Sequence, residues 1–360
     1  MRLLIDCCGV RFGGVRTYLE NLLKAWRVAY PEDELHLVVP AGGERVKLPA
    51  GVAVHDIKLS SNYMLAVIQR QKFISHAATD YRVDAVLEPS PFAPFRQLSV
   101  PLVGVVHDFR HELRPSEFSW TTRVARRIVY RHCYRVATQL IFISKRSLDD
   151  YRRIYAVGTG RDYPVVYHGA DHVEAKSSHA TGRRRTALAF GHWPNKGFRR
   201  AIDVWLTATT ISDICDLVVV GLPESERRAL EKEFDLQSGI SLLSYLSDAD
   251  FQELFGSLSV LVFPSEFEGF GLPVLEAMRL EIPVVISADD ALQEVSSGHS
   301  LVARTCDRRS LEEAVVRALS MSKFDRVAAR HHAESFTWRK TVVGTRKAIA
   351  EAVAGVQARM

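Results

Sequence analysis

Glu268 and Glu276 flank a Gly-Phe-Gly-Leu-Pro turn in the stretch FPSEFEGFGLPVLEAM, Phe263 to Met278. The residues leading into it, SVLVFP, read as a short buried strand, apolar and rich in β-branched side chains. Pro273 suits the first position of a helix, where its missing N–H costs nothing. On that layout Glu276 falls in the first helical turn, beside unpaired backbone N–H groups that attract anions, phosphate above all. Gly269 and Gly271 lack a Cβ, so a ligand can approach their backbone closely. An anion site between two acids suits a ligand with both phosphate and hydroxyl groups, and a nucleotide sugar is such a ligand. Glycine turns between strand and helix also occur throughout α/β domains, and an acid near a helix N-terminus is favourable without any ligand. The stretch by itself leaves both readings open.

Other residues stand at comparable addresses. PLVGVVHDF ends an apolar strand with His107-Asp108, where a histidine is as readily a structural residue as a functional one. ALAFGHWPNKGFRRAIDVW places Lys196 just before a helix. There it reads either as a solvated lysine or as a clamp for a diphosphate. The spacing is not that of a P-loop, and no Ser or Thr follows the lysine. LLIDCCGVRFGGVRTYLENL leads from a strand through Gly13-Gly14 into a helix without the G-x-G-x-x-G fingerprint of a dinucleotide site. Asp248-x-Asp250 suggests a metal, but Ser247 and Asp248 sit where a helix N-cap belongs, and no metal is expected. The run TTRVARRIVYRHCYR carries Arg123, Arg126, Arg127, Arg131 and Arg135 at helical spacing. It is either a solvated face or a surface for anionic lipid.

These residues need a scaffold that presents strand ends. The chain of 360 residues, 47% hydrophobic and 25% charged, is long enough for two ordinary domains. Strands are expected at RLLID, LHLVVP, VAVHDI, DAVLEP, PLVGVVHD, QLIFIS and PVVYHG, with helices near Val15–Tyr30, Asn62–Asp80, Ser119–Arg135 and Ser144–Tyr155. A polar segment, Asp171 to Arg185, reads as a linker. The alternation then resumes at TALAFG, DLVVVG, ISLLSYL, VLVFP, PVVIS and SLVA, and a long helix closes the sequence. This rhythm predicts two doubly wound parallel sheets in series, with ligands at the carboxyl ends of their strands. Five scattered cysteines without CxxC spacing argue for reduced thiols and against a disulfide scaffold or zinc site. MRLLIDCCGVRFGG meets Asp6 and Arg11 before a signal-peptide core develops, and no apolar run is long enough to span a membrane. A cytoplasmic location is expected, with association at the inner membrane face left open. The net charge of +5 permits anionic ligands or an acidic membrane surface and calls for no nucleic acid.

Together these pieces resemble glycosyltransferase family 4, the retaining group 1 glycosyltransferases of the GT-B fold, over nearly the whole chain. GGVRTYLENL resembles the family's N-terminal glycine loop, and VVHDF its His-Asp strand end. ISKRSLDDY and VVYHGAD are similar to the segments that precede the second domain, GHWPNKG to the phosphate-binding segment, and EGFGLPVLE to the E-x7-E motif. FTWRKT resembles the start of the C-terminal helix. The resemblance implies an α/β, GT-B architecture of two Rossmann-like, doubly wound domains facing an interdomain cleft. Residues 1–172 would form the acceptor-side domain, 173–340 the nucleotide-sugar domain, and 341–360 a helix packing back on the first.

The resemblance also implies roles. Glu268 would contact donor-sugar hydroxyls, His107 the donor sugar near the reacting carbon, and Lys196 the leaving diphosphate. The backbone of Gly269, Phe270, Gly271 and Leu272 would line sugar and diphosphate, and Glu276 would bind the ribose hydroxyls. Gly14 would approach the donor, and the base would rest near Tyr245 and Leu246. Gly13, Asp108 and Arg110 are the expected acceptor contacts. His192 stands where the family has a phosphate-binding arginine, so the clamp rests on His192, on Arg199 or Arg200, or on an arginine among Arg183 to Arg185.

The activity implied is transfer of a hexose, mannose-like or related, from a GDP-, UDP- or dTDP-linked donor. The acceptor would be a glycan or lipid-linked sugar in surface polysaccharide or glycolipid assembly, and no cofactor or metal is expected. A non-catalytic nucleotide-sugar scaffold or sensor of the same fold is the alternative. A nicotinamide oxidoreductase is disfavoured by the missing glycine fingerprint.

Overall fold

The structure, a computed structural model, describes residues 1–10, 13–42, 47–156, 162–173, 184–234, 239–304 and 307–358. The chain divides into two compact units, one formed by Met1–Gly169 with Thr337–Met360 and the other by Ala170–Phe336. Both are parallel α/β sheets. The first contains β1 (Arg2–Asp6), β2 (Glu34–Pro40), β3 (Ala53–Ile57), β4 (Ala85–Glu88), β5 (Leu102–Val106) and β6 (Gln139–Phe142), in the order β3-β2-β1-β4-β5-β6. The second contains β7 (Arg185–Phe190), β8 (Cys215–Val220), β9 (Ile240–Leu242), β10 (Val260–Phe263), β11 (Val284–Ile286) and β12 (Leu301–Val302), in the order β12-β11-β10-β7-β8-β9.

The helices of the first unit are α1 (Gly14–Ala29), α2 (Tyr63–Asp80), α3 (Arg110–Leu113), α4 (Trp120–Val136) and α5 (Lys145–Tyr155). Those of the second are α6 (Phe198–Thr207), α7 (Thr209–Ser212), α8 (Glu224–Glu233), α9 (Asp248–Gly256), α10 (Leu272–Arg279), α11 (Asp290–Ser296), α12 (Arg308–Leu319) and α13 (Lys323–Glu334). The last helix, α14 (Trp338–Gln357), returns to the first unit.

The strand sequences explain the layering. LVGVV of β5, VLVF of β10 and VVI of β11 are buried at every position, as strands are when helices cover both faces of a parallel sheet. Each sheet reverses its strand order once, between β1 and β4 in the first and between β7 and β10 in the second. At such a reversal the outgoing loops diverge and leave a crevice beyond the carboxyl ends of the strands. Helix starts follow the local chemistry. Ser144 caps α5 by accepting from Ser147 N at 3.0 Å, and Thr337 caps α14 by accepting from Lys340 N at 3.3 Å.

Two expectations are corrected. PVVYHG forms no strand: it makes one parallel bridge, Phe142 to Val165, and then leaves the sheet. Its backbone is engaged elsewhere, since the Tyr167 carbonyl accepts from Thr341 Oγ1 at 2.7 Å. Gly169 lies so close to the start of α14 that a Cβ there would come within 2.1 Å of the Trp338 nitrogen. The crossing into the first unit also comes at Thr337, so the whole of α14 belongs there. In the expected linker, residues 174–183 lie outside the described residues, and Arg185 already opens β7.

α14 is anchored through one carboxylate. Asp33, with no side-chain exposure, accepts from Arg346 Nε at 2.8 Å and from Trp26 Nε1 at 2.9 Å.

Candidate functional site

In the second unit the loops that leave β7 and β10, the two strands at the reversal, are brought into contact. After β7 the chain makes a tight turn at Pro194–Lys196, and Gly197 caps α6 with φ +70°. A Cβ on Gly197 would stand 2.3 Å from the Pro264 carbonyl oxygen. Glycine is therefore required by the backbone conformation and by the close approach of the β10 loop.

A buried polar lattice ties the two loops. The Asn195 carbonyl accepts from Glu266 N at 2.8 Å and from Ser265 Oγ at 3.1 Å, and Asn195 Nδ2 donates to the Phe267 carbonyl at 3.0 Å. Ser287, after β11, donates its hydroxyl to the Ser265 carbonyl. Asp289 accepts from the first N–H groups of α11, Ala291 N and Leu292 N, and also from Glu268 N at 3.4 Å. Ser265, Ser287, Asn195 and Asp289 are all buried.

That lattice presents Lys196 and Glu268 to each other. Lys196 Nζ lies 2.6 Å from Glu268 Oε1, which also accepts from Ser265 Oγ at 2.5 Å. Both side chains are mostly covered, at 12% and 14% exposure, and the ammonium lies 4.8 Å from the Phe263 ring centroid. A charge pair in so sheltered a place is little screened by water or salt. Beyond Glu268, Gly269 and Phe270 lead to Gly271, which caps α10 with φ +99°.

Here the sequence expectation is corrected. Leu272 takes the first helical position, Pro273 the second and Glu276 the fifth, so no acid lies in the first turn of α10. Gly271 reaches a left-handed conformation without strain, and the helix therefore starts one residue ahead of the proline. A Cβ at Gly271 would also meet Leu292 Cδ2 at 2.5 Å. Glu276 faces His172, whose Nε2 lies 3.0 Å from its Oε1.

The other expected donor residues lie further along the same strand ends. His192 follows β7, with its ring 6.0 Å from Phe190 and its Cβ beside Gly221 at the end of β8. Tyr245 and Leu246 follow β9, with Tyr245 70% exposed. Among the candidate arginines, Arg199 pairs with Glu233 and Glu226, Arg184 with Asp216, and Arg185 donates to the Leu319 carbonyl. Arg200 is the one set against the β10 loop, donating to Glu266 Oε1 at 2.7 Å. Arg183 lies outside the described residues. Asp250 N donates to Ser247 Oγ at 3.2 Å, so Ser247 caps α9 and Asp248 opens it.

In the first unit, Gly13 caps α1 with φ +74° and Gly14 opens the helix, both exposed with open space where a Cβ would be. His107 follows β5, and its Nε2 lies 2.7 Å from the Pro89 carbonyl. A carbonyl only accepts, so Nε2 carries the proton and Nδ1 keeps its lone pair in the neutral ring. Burial lowers the His107 pKa, with the Pro89 bond and Asp108 opposing, which favours that neutral form. Tyr18 from α1 meets the His107 ring edge-on at 5.3 Å and stacks on His168 at 4.7 Å. Asp108 accepts from Arg110 N at 2.9 Å, and Arg110 Nε donates to Glu117 Oε2 at 2.5 Å. Asp108 and Arg110, the expected acceptor contacts, are thus engaged within their own loop.

Sequence reasoning missed several neighbours. His172, Asn195, Ser265 and Asp289 carry no spacing signal, although Asp289 follows a strand and precedes a helix as an N-cap would. It also missed the buried triad at the β1/β4 reversal. There Arg70 Nε lies 2.5 Å from Asp6 Oδ2, and its NH2 lies 3.2 Å from Glu88 Oε2. Burial pushes the Glu88 carboxyl up, and Asp6 adds to the rise against Arg70.

The arrangement presents a cation, an acid and a glycine-capped helix start at one strand-end crevice, a set of groups suited to a phosphorylated, hydroxyl-bearing ligand. Residues 184–321 match the family model "Glycosyl transferases group 1". The chain is 33% identical over 109 residues to O-antigen chain mannosyltransferase B of Escherichia coli, covering 29% of each chain. It is 25% identical over 253 residues to the O-antigen chain mannosyltransferase RfbU of Salmonella typhimurium, covering 66% of this chain and 67% of that one. The matches thus span under a third of the first relative's length and about two thirds of the second's.

Among solved structures, sucrose-phosphate synthase of Thermosynechococcus elongatus superposes with a TM-score of 0.81 at 15% identity, over 99% of this chain and 100% of that one. HepE of Anabaena in complex with UDP-glucose superposes with a TM-score of 0.69 at 17% identity, over the full length of both. The chain has the GT-B fold, and its residues 184–321 match the family model of the group 1 glycosyl transferases.

Proposed function

We propose that this protein is a retaining, metal-independent glycosyltransferase that moves a hexose, mannose-like or related, from a nucleoside-diphosphate sugar to a glycan or lipid-linked sugar. The product would serve cell-surface polysaccharide or glycolipid assembly. The observation that carries the reading is the Lys196–Glu268 pair, held at the strand reversal beside the start of α10. The mannosyltransferase relatives favour a mannose-like sugar. The base of the donor is left among guanine, uracil and thymine.

In this reading the Lys196 ammonium neutralises the diphosphate as negative charge grows on it, where a preplaced charge stabilises the transition state most. Glu268 accepts from sugar hydroxyls, and Glu276 from the ribose. His107 offers its Nδ1 lone pair to a hydroxyl of the sugar. No carboxylate of the Lys196–Glu268 cluster is free to act as nucleophile or acceptor base, because Glu268 binds hydroxyls and Asp289 caps α11. The acceptor oxygen then attacks from the leaving-group side. Its bond to the anomeric carbon forms as the bond to the phosphate oxygen breaks, and that oxygen takes the acceptor proton. The anomeric configuration is kept.

Two measurements test this. A thermal-shift panel of UDP, GDP, dTDP and their sugars identifies the donor, since ligand at a hundred times its Kd stabilises by about 2.7 kcal/mol. An NMR coupling constant on the first-formed product then reads the stereochemistry. An α-linked donor should give an α-linked product; a β-linked one would sink the mechanism. Donor binding without turnover on any acceptor would favour a sensor or scaffold.

A further inference from the structure

The basic run at 123–135, which the proposed chemistry does not use, lies on α4, and the structure shows what stands beside it. Trp120, Val124 and Ile128 are 71%, 38% and 57% exposed. They follow an i, i+4, i+8 row and so form a ridge on one side of the helix. Arg127, Arg131 and Arg135 lie seven residues beyond each of them, which returns them to nearly the same face, and all three are exposed. The next position of the apolar row is His132, whose ring packs tilted at 4.7 Å against Phe95, itself 58% exposed. The ridge is therefore continued by an aromatic side chain from the loop after β4. The opposite side of α4 is anchored in the core through Cys133 and Tyr134.

The charge on this surface is one-signed. α4 contains five arginines and no acid. Among the described residues Arg127 alone of the five is in a salt bridge, with Glu112. Arg126 lies over the Phe118 ring at 4.9 Å, and Arg131 lies over Tyr155 at 5.4 Å with Glu112 near enough to act on it, so one acid faces several arginines. A solvated helix face has no need of an exposed tryptophan and isoleucine in register. A partner protein of acidic character would account for the arginines alone. A nucleic acid would leave the aliphatic row without a partner. An apolar ridge carrying a tryptophan, interleaved with arginines that outnumber the one acid beside them, matches the acyl and headgroup layers of an anionic bilayer. No described helix is long and apolar enough to cross a membrane, so the contact is with the surface.

We infer that the outward face of α4, with Phe95, docks the protein on an anionic lipid bilayer, Trp120 and Ile128 entering the interface while Arg123, Arg131 and Arg135 meet lipid phosphates. This is independent of the sugar-transfer reading, since none of these residues belongs to the Lys196–Glu268 cluster.

The test is co-sedimentation of the full chain with vesicles of phosphatidylglycerol and phosphatidylethanolamine, against vesicles of phosphatidylcholine alone. Binding should be to the anionic vesicles and should weaken with salt. Each of Arg123→Gln, Arg131→Gln and Arg135→Gln should lower partitioning about fivefold, and Trp120→Ser with Ile128→Ser should abolish it. Quenching by brominated acyl chains should vanish in Trp120→Phe. All these side chains are exposed or at the rim, so the variants should keep the parent's thermal midpoint and its turnover on a soluble acceptor. Equal binding to neutral and anionic vesicles, or undiminished binding by the Trp120/Ile128 variant, overturns the inference. So does a self-association that the same two substitutions abolish, which would assign the face to a second copy of the chain.

Discussion

Lys196 and Glu268, 72 residues apart in sequence, meet at 2.6 Å between Nζ and Oε1. Asn195 and Ser265, the polar residues that brace this contact from either loop, are themselves bonded to one another. The geometry of the pair is therefore set by the lattice beneath it and not by the mutual attraction of two flexible side chains. Such preplacement is what a charge must have to stabilise a transition state without reorganising.

The two acids of the E-x7-E stretch should separate in kinetics. In the proposed reading Glu268→Gln removes a charged contact at the reacting sugar and should lower kcat by about 10² to 10³, or roughly 3–4 kcal/mol. Glu276→Gln should raise the donor KM and leave kcat near the parent value. Steady-state rates with varied donor decide it; equal, small KM effects from both would refute the assignment.

His172 should behave as a positioning residue for Glu276, given the 3.0 Å contact between them. His172→Ala should raise the donor KM about fivefold, the cost of roughly 1 kcal/mol for one hydrogen bond, with kcat unchanged. His172→Gln should restore part of it. The readout specific to this role is discrimination between ribose and 2′,3′-dideoxyribose nucleotides, which should shrink in His172→Ala. Unchanged discrimination would remove His172 from the site.

Activity should persist in excess EDTA. Ser247 accepts from Asp250 N and donates to its carboxylate at 2.6 Å, so Asp250 is occupied in capping α9. In the proposed reading Lys196 and the start of α10 supply the positive charge a metal would otherwise bring. Turnover lost to chelator and restored by Mg²⁺ or Mn²⁺ would return Asp248 and Asp250 to the mechanism.

Acid stability should depend on Asp33. Burial pushes its carboxyl up, but bonds from Arg346, the Met1 amino group and Trp26 outweigh burial and bring its pKa down to about 2. The folded value lies below the roughly 3.9 of a free aspartate. Its contribution is therefore complete above about pH 4 and is lost as pH falls towards 2. Asp33→Asn should cost about 2 kcal/mol at neutral pH, slightly under what a pKa lowered to about 2 is worth, because Arg346 is partly exposed. The gap between parent and variant in urea titrations should close between pH 4 and pH 2; a constant gap would contradict this account.

Much of this molecule was legible from local pattern. Continuous apolar runs such as VLVF and LVGVV announce strands buried on both faces, because burial selects side chains residue by residue. The alternation of such runs with helical stretches announces two parallel sheets, because parallel strands require crossovers. The addresses of His107, Lys196 and Glu268 at strand ends follow from the same reading. Local pattern also misled at PVVYHG, whose composition suits a strand. Its backbone groups are engaged by Thr341 and crowded by Trp338, residues far along the chain. It misplaced Glu276 by one helical position, because Gly271 takes a left-handed conformation as the cap and α10 starts at Leu272, ahead of Pro273.

What only the tertiary structure decided are the pairings. β7 and β10 are neighbours although β8 and β9 lie between them in sequence, and that adjacency alone puts Lys196 beside Glu268. The burial of Asn195, Ser265 and Asp289 beneath them, the choice of His172 as partner of Glu276, and the meeting of Asp33 with Arg346 across 313 residues are of the same kind. A sequence states which groups can bond or carry charge. Which of them are close enough to do so is set by the order in which its strands assemble.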